Sequence, residues 1–414
     1  MRIFADLHNH SKYSRATSKD MDLEHQTHYG VIKGLTLLGS GDATHPVWLQ
    51  ELKNKLEDHG TGIYTFKNMH WILSSEVSNI YATPQGTKKI HHILLFPNFD
   101  VVDQVNELLS TKGNLAADGR PIFGRYPASD LVYDLKAISQ DIEIIPAHVW
   151  TPWFSLFGSR SGYNSIDACY EKQAKHIYCL ETGLSSDPGM NWSVSKTHGK
   201  TLVSNSDSHS PHPWRIGREC NVFSLTEFTY ANVINTLRQN HLDYTVEVAP
   251  DYGKYHYDGH RACNVRMHPA EAKKHHNMCP QCGQPLVIGV LNRVLELTDT
   301  PPQNKPASAR PFKTLLPLAE IIRVKNRVSS LNSKKVLRQY YDAVSHFKNE
   351  FDILIDATPK DLEEKLGKQL ASMILALRNN TVSYTPGYDG VYGEPIFSAL
   401  AEPEKKEKNL CDFF

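Results

Sequence analysis

Residues 5–11 read Ala-Asp-Leu-His-Asn-His-Ser, and Asp6, His8 and His10 alternate within them. In an extended strand alternate side chains share a face, so these three groups are expected to crowd together at a strand end. Imidazoles and a carboxylate gathered in this way hold a transition metal. Similar groups recur along the chain: Gly-Asp42-Ala-Thr-His45, Glu76, His92, Pro-Ala-His148 and Ser-Asp207-Ser-His209. The collected set is His8, His10, His45, Glu76, His92, His148, Asp207 and His209, with Asp6 and Asp42 nearby. A mononuclear catalytic zinc takes about three protein ligands. This larger set points to two or three divalent ions (Zn, Mn or Mg), a centre suited to phosphoester hydrolysis. A second constellation lies further on. His260-x-x-Cys263 and Cys279-x-x-Cys282, separated by 15 residues, have the spacing of a closed structural zinc site.

Short apolar runs deliver the first set. Ile3-Phe4 leads into Asp6, Leu35–Leu38 into Asp42, Trp71–Leu73 into Glu76, Ile142–Ile145 into His148, Ile177–Leu180 into Glu181, and Leu202-Val203 into Asp207. His92–Phe96 begins with its histidine instead. Short runs at helix-length intervals predict buried parallel strands in βα units. Reactive groups gather at the carboxyl ends of such strands, and seven runs suit a barrel. Residues 251–297 differ in character and carry the second metal pattern. Residues 298–311 hold four prolines and are expected to be a linker. Beyond them the apolar period becomes helical: Val336, Tyr340, Val344 and Phe347, then Leu362, Leu366, Leu370, Met373, Ile374 and Leu377. Thr358-Pro359 is expected to open a helix.

The 414 residues carry 45 basic and 45 acidic side chains, so the formal net charge is zero and a strongly basic protein is excluded. The 21 histidines are unevenly spread: 14 precede residue 213 and one lies beyond His276. Surface solvation would scatter them, whereas metal chemistry would not. No secretory leader or membrane-length apolar run is visible. Seven cysteines do not suggest a disulfide framework. A cytoplasmic, monomeric protein is expected.

Asp-Leu-His-Asn-His and Ser-Asp-Ser-His resemble the first and last motifs of the PHP family, named for polymerase and histidinol phosphatase. The resemblance implies an α/β fold built on a distorted (β/α)7 barrel with a multinuclear metal centre. It carries His8 and His10 onto the first motif, and Asp207 and His209 onto the last. Glu76, His92 and His148 match the ligands between. His92 is preferred to His91 because the family's histidine directly precedes an Ile/Leu-Leu pair. The second motif departs from the usual Thr-Asp-His, so Asp42 or His45 would bind there. Asp207, His8, His10 and His209 are the expected catalytic residues. The stretches His10–Lys19, Pro146–Gly162, Leu180–Trp192 and Tyr255–Arg261 further resemble the endonuclease Q family. That resemblance implies a barrel over 1–250, a zinc module over 251–297, a linker over 298–311, a helical domain over 312–400 and a tail over 401–414. It also implies incision of DNA on the 5′ side of deaminated bases (uracil, hypoxanthine, xanthine) and of abasic sites.

An enzyme that inspects one base of a duplex extrudes it and stacks it on aromatics. Trp150, Trp153, Phe154 and Trp192 follow strand ends and are candidates for that role, with Arg160 and Arg215 for phosphate contacts. At the end of the chain Leu410, Phe413 and Phe414 resemble the anchors of a sliding-clamp-binding peptide. The competing reading is a small-molecule phosphoesterase of the histidinol-phosphatase type. It accounts for the barrel ligands but not for the zinc pattern, the helical region or the tail.

Overall fold

The computed structural model describes residues 1–301 and 305–398; the tail residues Leu410, Phe413 and Phe414 lie outside the described residues. Each of the seven apolar runs forms a strand. They are β1 (Arg2–Asp6), β2 (Leu37–Gly39), β3 (Met69–Thr83), β4 (Gly86–Phe96), β5 (Glu143–Pro146), β6 (Cys179–Glu181) and β7 (Thr201–Val203). Two more follow, β8 (Cys220–Ser224) and β9 (Tyr244–Glu247). β1, β2 and β3 pair in parallel, as expected. β4 departs from the βα pattern, because it runs antiparallel to both β3 and β5. A two-residue turn joins it to β3 where a crossover helix would otherwise stand. This reversal explains why its histidines precede its apolar run: its amino-terminal half lies at the end where its neighbours finish. β8 and β9 continue the sheet antiparallel beyond β1.

The strands make a mixed α/β architecture in which no closed ladder forms among the described residues. β6 and β7 pair only with each other. Backbone bonds cross the two gaps: Val149 N–H donates to Glu181 O (3.0 Å), and His10 N–H to Ser208 O (3.0 Å) beside an isolated Asn9–Ser208 bridge. One apolar cluster draws Ile3, Ile72, Ile93, Ile145 and Val203 together with the helix Tyr230–Arg238. A larger one packs Phe4, Leu38, Trp71, Leu94 and Ile144 against the surrounding helices. Alternate residues of each strand thus feed different clusters, the period-2 consequence of a strand buried on both faces.

Residues 258–286 carry a small hairpin, Asp258–His260 with Val265–Met267, and the helix Pro269–Lys274. The C-terminal region is helical over Lys334–Ser345, Pro359–Leu366 and Lys368–Arg378, as its apolar period requires. Thr358 caps the second of these by accepting from Asp361 N–H. Gly367 separates the last two at a φ of +80°, so the apolar stripe bends instead of running straight. This region is fastened to the main sheet by a buried ion pair, Lys33 Nζ to Glu350 Oε1 at 2.7 Å. Phe4 also stacks on Phe351 with ring centroids 4.7 Å apart. No described helix is long and apolar enough to cross a membrane.

Candidate metal centre

The strand ends converge on Glu76. Two groups of ligand atoms, each within 4.8 Å, share it: His8, His10, Glu76 and Asp207 form one, and Glu76, His91 and His148 the other. His8 Nδ1 pairs with both Glu181 oxygens at 3.0 and 3.1 Å. That contact turns His8 Nε2 inward, 3.7 Å from a carboxylate oxygen of Glu76 and of Asp207. The nitrogen is buried and has no hydrogen-bond partner. A buried orphan nitrogen between two carboxylates, each too distant for a hydrogen bond, fits a divalent cation. His10 Nδ1 pairs with Asp42 (3.1 Å) and its Nε2 with Asp207 (3.1 Å). On the other side Glu76 Oε1 lies 2.7 Å from His91 Nδ1 and 3.3 Å from His148 Nε2.

The electrostatics agree with a cation site. Burial alone would raise the Glu76 carboxyl, but His91, Arg120 and His8 hold it well below the ordinary range. Asp207 is likewise held low against burial by His10, His8 and His209. Burial opposes a charge on His8, yet Glu181, Glu76 and Asp207 push it well above its usual value. Both carboxylates are therefore ionised and available to a metal. The backbone is bent to present the groups. Asp42, His148 and Asp207 have φ of +49°, +31° and +46°, a left-handed conformation that costs free energy in non-glycine residues.

The remaining ligand expectations change with the geometry. His92 is not in the cluster: alternation along β4 sends it away from Glu76, and its Nε2 meets Tyr170 Oη at 2.9 Å. His91 takes the facing position. Asp42 stands behind His10, accepting from Ser11 N–H and Oγ at 2.6 Å each. His45 caps the helix Pro46–Lys55 and stacks on Tyr13 at 4.6 Å, outside both groups. Asp6 is also outside. β1 ends there, so its alternation does not carry into residues 7–10, and its carboxylate accepts from Ser206 and Gly217 N–H. His209 lies beside the groups, its ring 4.3 Å from that of His10.

A cleft of about 510 Å³ opens over these residues, with Asp207, His148 and Arg120 among its polar lining and Trp153, Phe154 and Tyr255 among its aromatic lining. Of the aromatics singled out by position, Trp153 and Phe154 line it. Trp150 and Trp192 do not. Trp150 is buried against Phe157 and donates to Asn191 (2.8 Å), while Trp192 packs against Phe312. Arg160 reaches the segment of residues 258–286, donating to Leu286 O at 3.1 Å. Arg215 lies over the Tyr392 ring, in a separate groove beside Arg323 and Glu394. Glu181, Arg120, Tyr255 and Lys254 stand at the site without having been among the expected residues. Glu181 had a signal, since it ends an apolar run as Glu76 does. Tyr255 opens the stretch Tyr255–Arg261 noted in the sequence, whereas Arg120 and Lys254 come from loops without such a signal.

The second site gathers His260, Cys263, Cys279 and Cys282, all four ligand atoms again within 4.8 Å. Desolvation raises the Cys279 thiol, but Cys282 and Gln281 N–H and the His260 ring bring it down to about 6. Thiolate character of this kind suits zinc.

The fold recurs in solved structures. The lesion-specific endonuclease PfuEndoQ from Pyrococcus furiosus superposes with a TM-score of 0.86 at 31% identity, over 98% of each chain. A crystal structure of endonuclease Q with a 27-mer duplex carrying an abasic lesion at its active site gives 0.88 at 31% identity, covering 98% of this chain and 99% of that one. The chain belongs to the endonuclease Q family. Its residues 317–381 match the family described as MJ0043 C-terminal domain. The uncharacterized protein MJ0043 of Methanocaldococcus jannaschii is 32% identical over 294 residues, 69% of this chain. The chain spans 36% of that longer relative. As a member of the endonuclease Q family this chain is a metal-dependent nuclease.

Proposed function

We propose that this endonuclease Q family member is a DNA repair enzyme with a defined incision site. It hydrolyses the phosphodiester on the 5′ side of deaminated bases (uracil, hypoxanthine, xanthine) and abasic sites in double- or single-stranded DNA. The observation that carries this reading is the cleft, which joins the Glu76-centred ligand groups to Trp153, Phe154 and Tyr255. An extruded nucleotide needs an aromatic wall beside the reacting phosphate. A site for a small phosphate monoester would not need one.

His8, His10, Glu76 and Asp207 would hold one ion, and His91 and His148, with the shared Glu76, a second; His209 stands next to them. Bound divalent ions supply a more acidic water and neutralise phosphate charge. The chain's own residues do the positioning. Glu181 and Asp42 orient His8 and His10 through their Nδ1 atoms. Trp153 and Phe154 stack the displaced nucleotide and exclude solvent from it. Asp207, the more exposed of the two grouped carboxylates, orients the attacking water in line with the departing 3′ oxygen.

The domain assignment goes with this reading. Residues 1–250 act as a distorted (β/α)7 PHP barrel, 251–297 as a module with one structural zinc, 298–311 as a linker and 312–400 as a helical domain. The tail over 401–414 docks on a sliding clamp through Leu410, Phe413 and Phe414. The protein acts as a cytoplasmic monomer.

The test is incision of duplexes carrying one uracil, hypoxanthine or abasic site, with Mg²⁺, Mn²⁺ or Zn²⁺ added. A single cut 5′ to the lesion is expected. Asp207→Asn should slow it by about 10³-fold or more, the scale on which loss of one charge-positioning group acts. No cut with any metal, combined with turnover of phosphate monoesters, would replace this reading by the phosphoesterase one.

A further inference from the structure

The loop between the helix Phe99–Ser110 and the strand Ile122–Gly124 brings to the site a cation absent from the ligand pattern. Arg120 Nη1 lies 3.1 Å from Glu76 Oε2, on the carboxylate that the two ligand groups share. Its Nε and Nη2 have no partner among the described residues. The side chain is 25% exposed and lines the cleft beside Asp207 and Phe154.

The loop is built to hold it there. Asp118 Oδ1 accepts from the N–H groups of Arg15 and Arg120, each at 3.1 Å. Gly119 N–H donates to Tyr13 O at 3.1 Å. A Cβ on Gly119 would lie 2.3 Å from Asp42 Oδ2 and 2.4 Å from Ser14 Oγ. Only glycine lets the loop press this closely on the residues that orient His10. Arg120 is thus fixed relative to the ligand groups by its backbone as well as by its ion pair.

An arginine whose role is purely structural commonly spends its planar fork on a carboxylate in two parallel bonds. Arg120 uses one nitrogen and leaves the others toward the cleft. The partner that matches a free, planar pair of donors is a phosphate oxygen. In phosphoryl transfer the charge is shared over the non-bridging oxygens, and a fixed cation beside them lowers the barrier. We infer that Arg120 is a catalytic residue that grips a non-bridging oxygen of the scissile phosphate through Nε and Nη2 while Nη1 stays on Glu76. The inference rests on the phosphodiesterase reading of the cleft.

Abasic duplexes with either a normal phosphate or an uncharged methylphosphonate at the scissile position test it. Affinity is read by fluorescence anisotropy in EDTA, so that no cleavage intervenes. Wild-type protein is expected to prefer the normal phosphate by about tenfold, the scale of one charge-assisted hydrogen bond. Arg120→Ala is expected to bind both duplexes alike. Its single-turnover rate should fall by about 10²-fold and recover in part with added guanidinium, while its metal content by mass spectrometry stays at the wild-type level. Retained phosphate preference in Arg120→Ala would overturn the inference. So would loss of metal content with a rate restored by excess metal, since Arg120 would then only steady Glu76. If wild-type protein neither binds nor cuts lesion DNA, the phosphodiesterase reading fails first and takes the inference with it.

Discussion

At the scale of single residues, the two neighbouring histidines of β4 show what a sequence can and cannot assign. Residue types and strand ends are legible: His8, His10, Glu76, His148 and Asp207 all reach the centre from where their apolar runs stop. The choice between His91 and His92 depends on which face of β4 meets Glu76, and that is set by register. Glu76 stands opposite Ile93, so His91, two residues away, shares its face. Nothing local in the sequence fixes that pairing. The consequence is measurable. His91→Ala is expected to lose bound metal and to slow incision by more than about 100-fold, beyond the usual effect of an outer-sphere partner. His92→Ala should keep metal and activity but lose about 1–3 kcal/mol of stability, through the missing bond to Tyr170 Oη and a small cavity. Metal analysis and a denaturation curve on both variants separate the two. Metal loss from His92→Ala alone would return that residue to the ligand set. The aromatics teach a similar lesson: Trp150 and Trp153 are close in sequence, and only packing made one a core residue and the other a cleft wall.

At the scale of elements, each apolar run marked a strand, but the reversed direction of β4 was not legible. A βα reading assumes a crossover after each strand, whereas the β3–β4 turn follows a strand of 15 residues that outgrows its run. The hairpin within residues 258–286 is the opposite case, where the spacing of His260, Cys263, Cys279 and Cys282 marked residues that do cluster. Its own apolar cluster contains five buried residues: Val265, Met267, Ala272, Cys279 and Leu286. So small a core does little to offset the cost of ordering the segment, and in the proposed function a bound zinc contributes the difference. Cys282→Ser is therefore expected to release one zinc per chain and to open residues 258–286 to trypsin at Arg261, Arg266, Lys273 and Lys274. The main sheet and its helices should remain folded, because their clusters are separate from this one. Limited proteolysis with zinc analysis checks both halves. A hairpin that stays resistant after losing its zinc would show that packing suffices.

At the scale of the whole molecule, charge balance constrains how the protein finds its substrate. With 45 basic and 45 acidic side chains there is no large net field to draw the chain onto a polyanion. In the proposed function, contacts at the cleft act once a lesion is within reach, and a further source of attachment would aid the search along undamaged DNA. The tail provides one in the proposed function. A short anchor that follows a charged stretch converts the encounter with DNA held in a clamp into an intramolecular step, at an effective concentration near the roughly millimolar range of short linkers. The catalytic unit would then need no strong nonspecific affinity of its own. Deleting residues 407–414 is expected to abolish co-elution with a sliding clamp and to remove any stimulation by the clamp on long, lesion-bearing DNA. Incision of short oligonucleotides, which no clamp can retain, should be unchanged. Clamp binding that survives the deletion would reject the tail as the anchor, and a parallel loss of activity on short oligonucleotides would assign it to the catalytic unit.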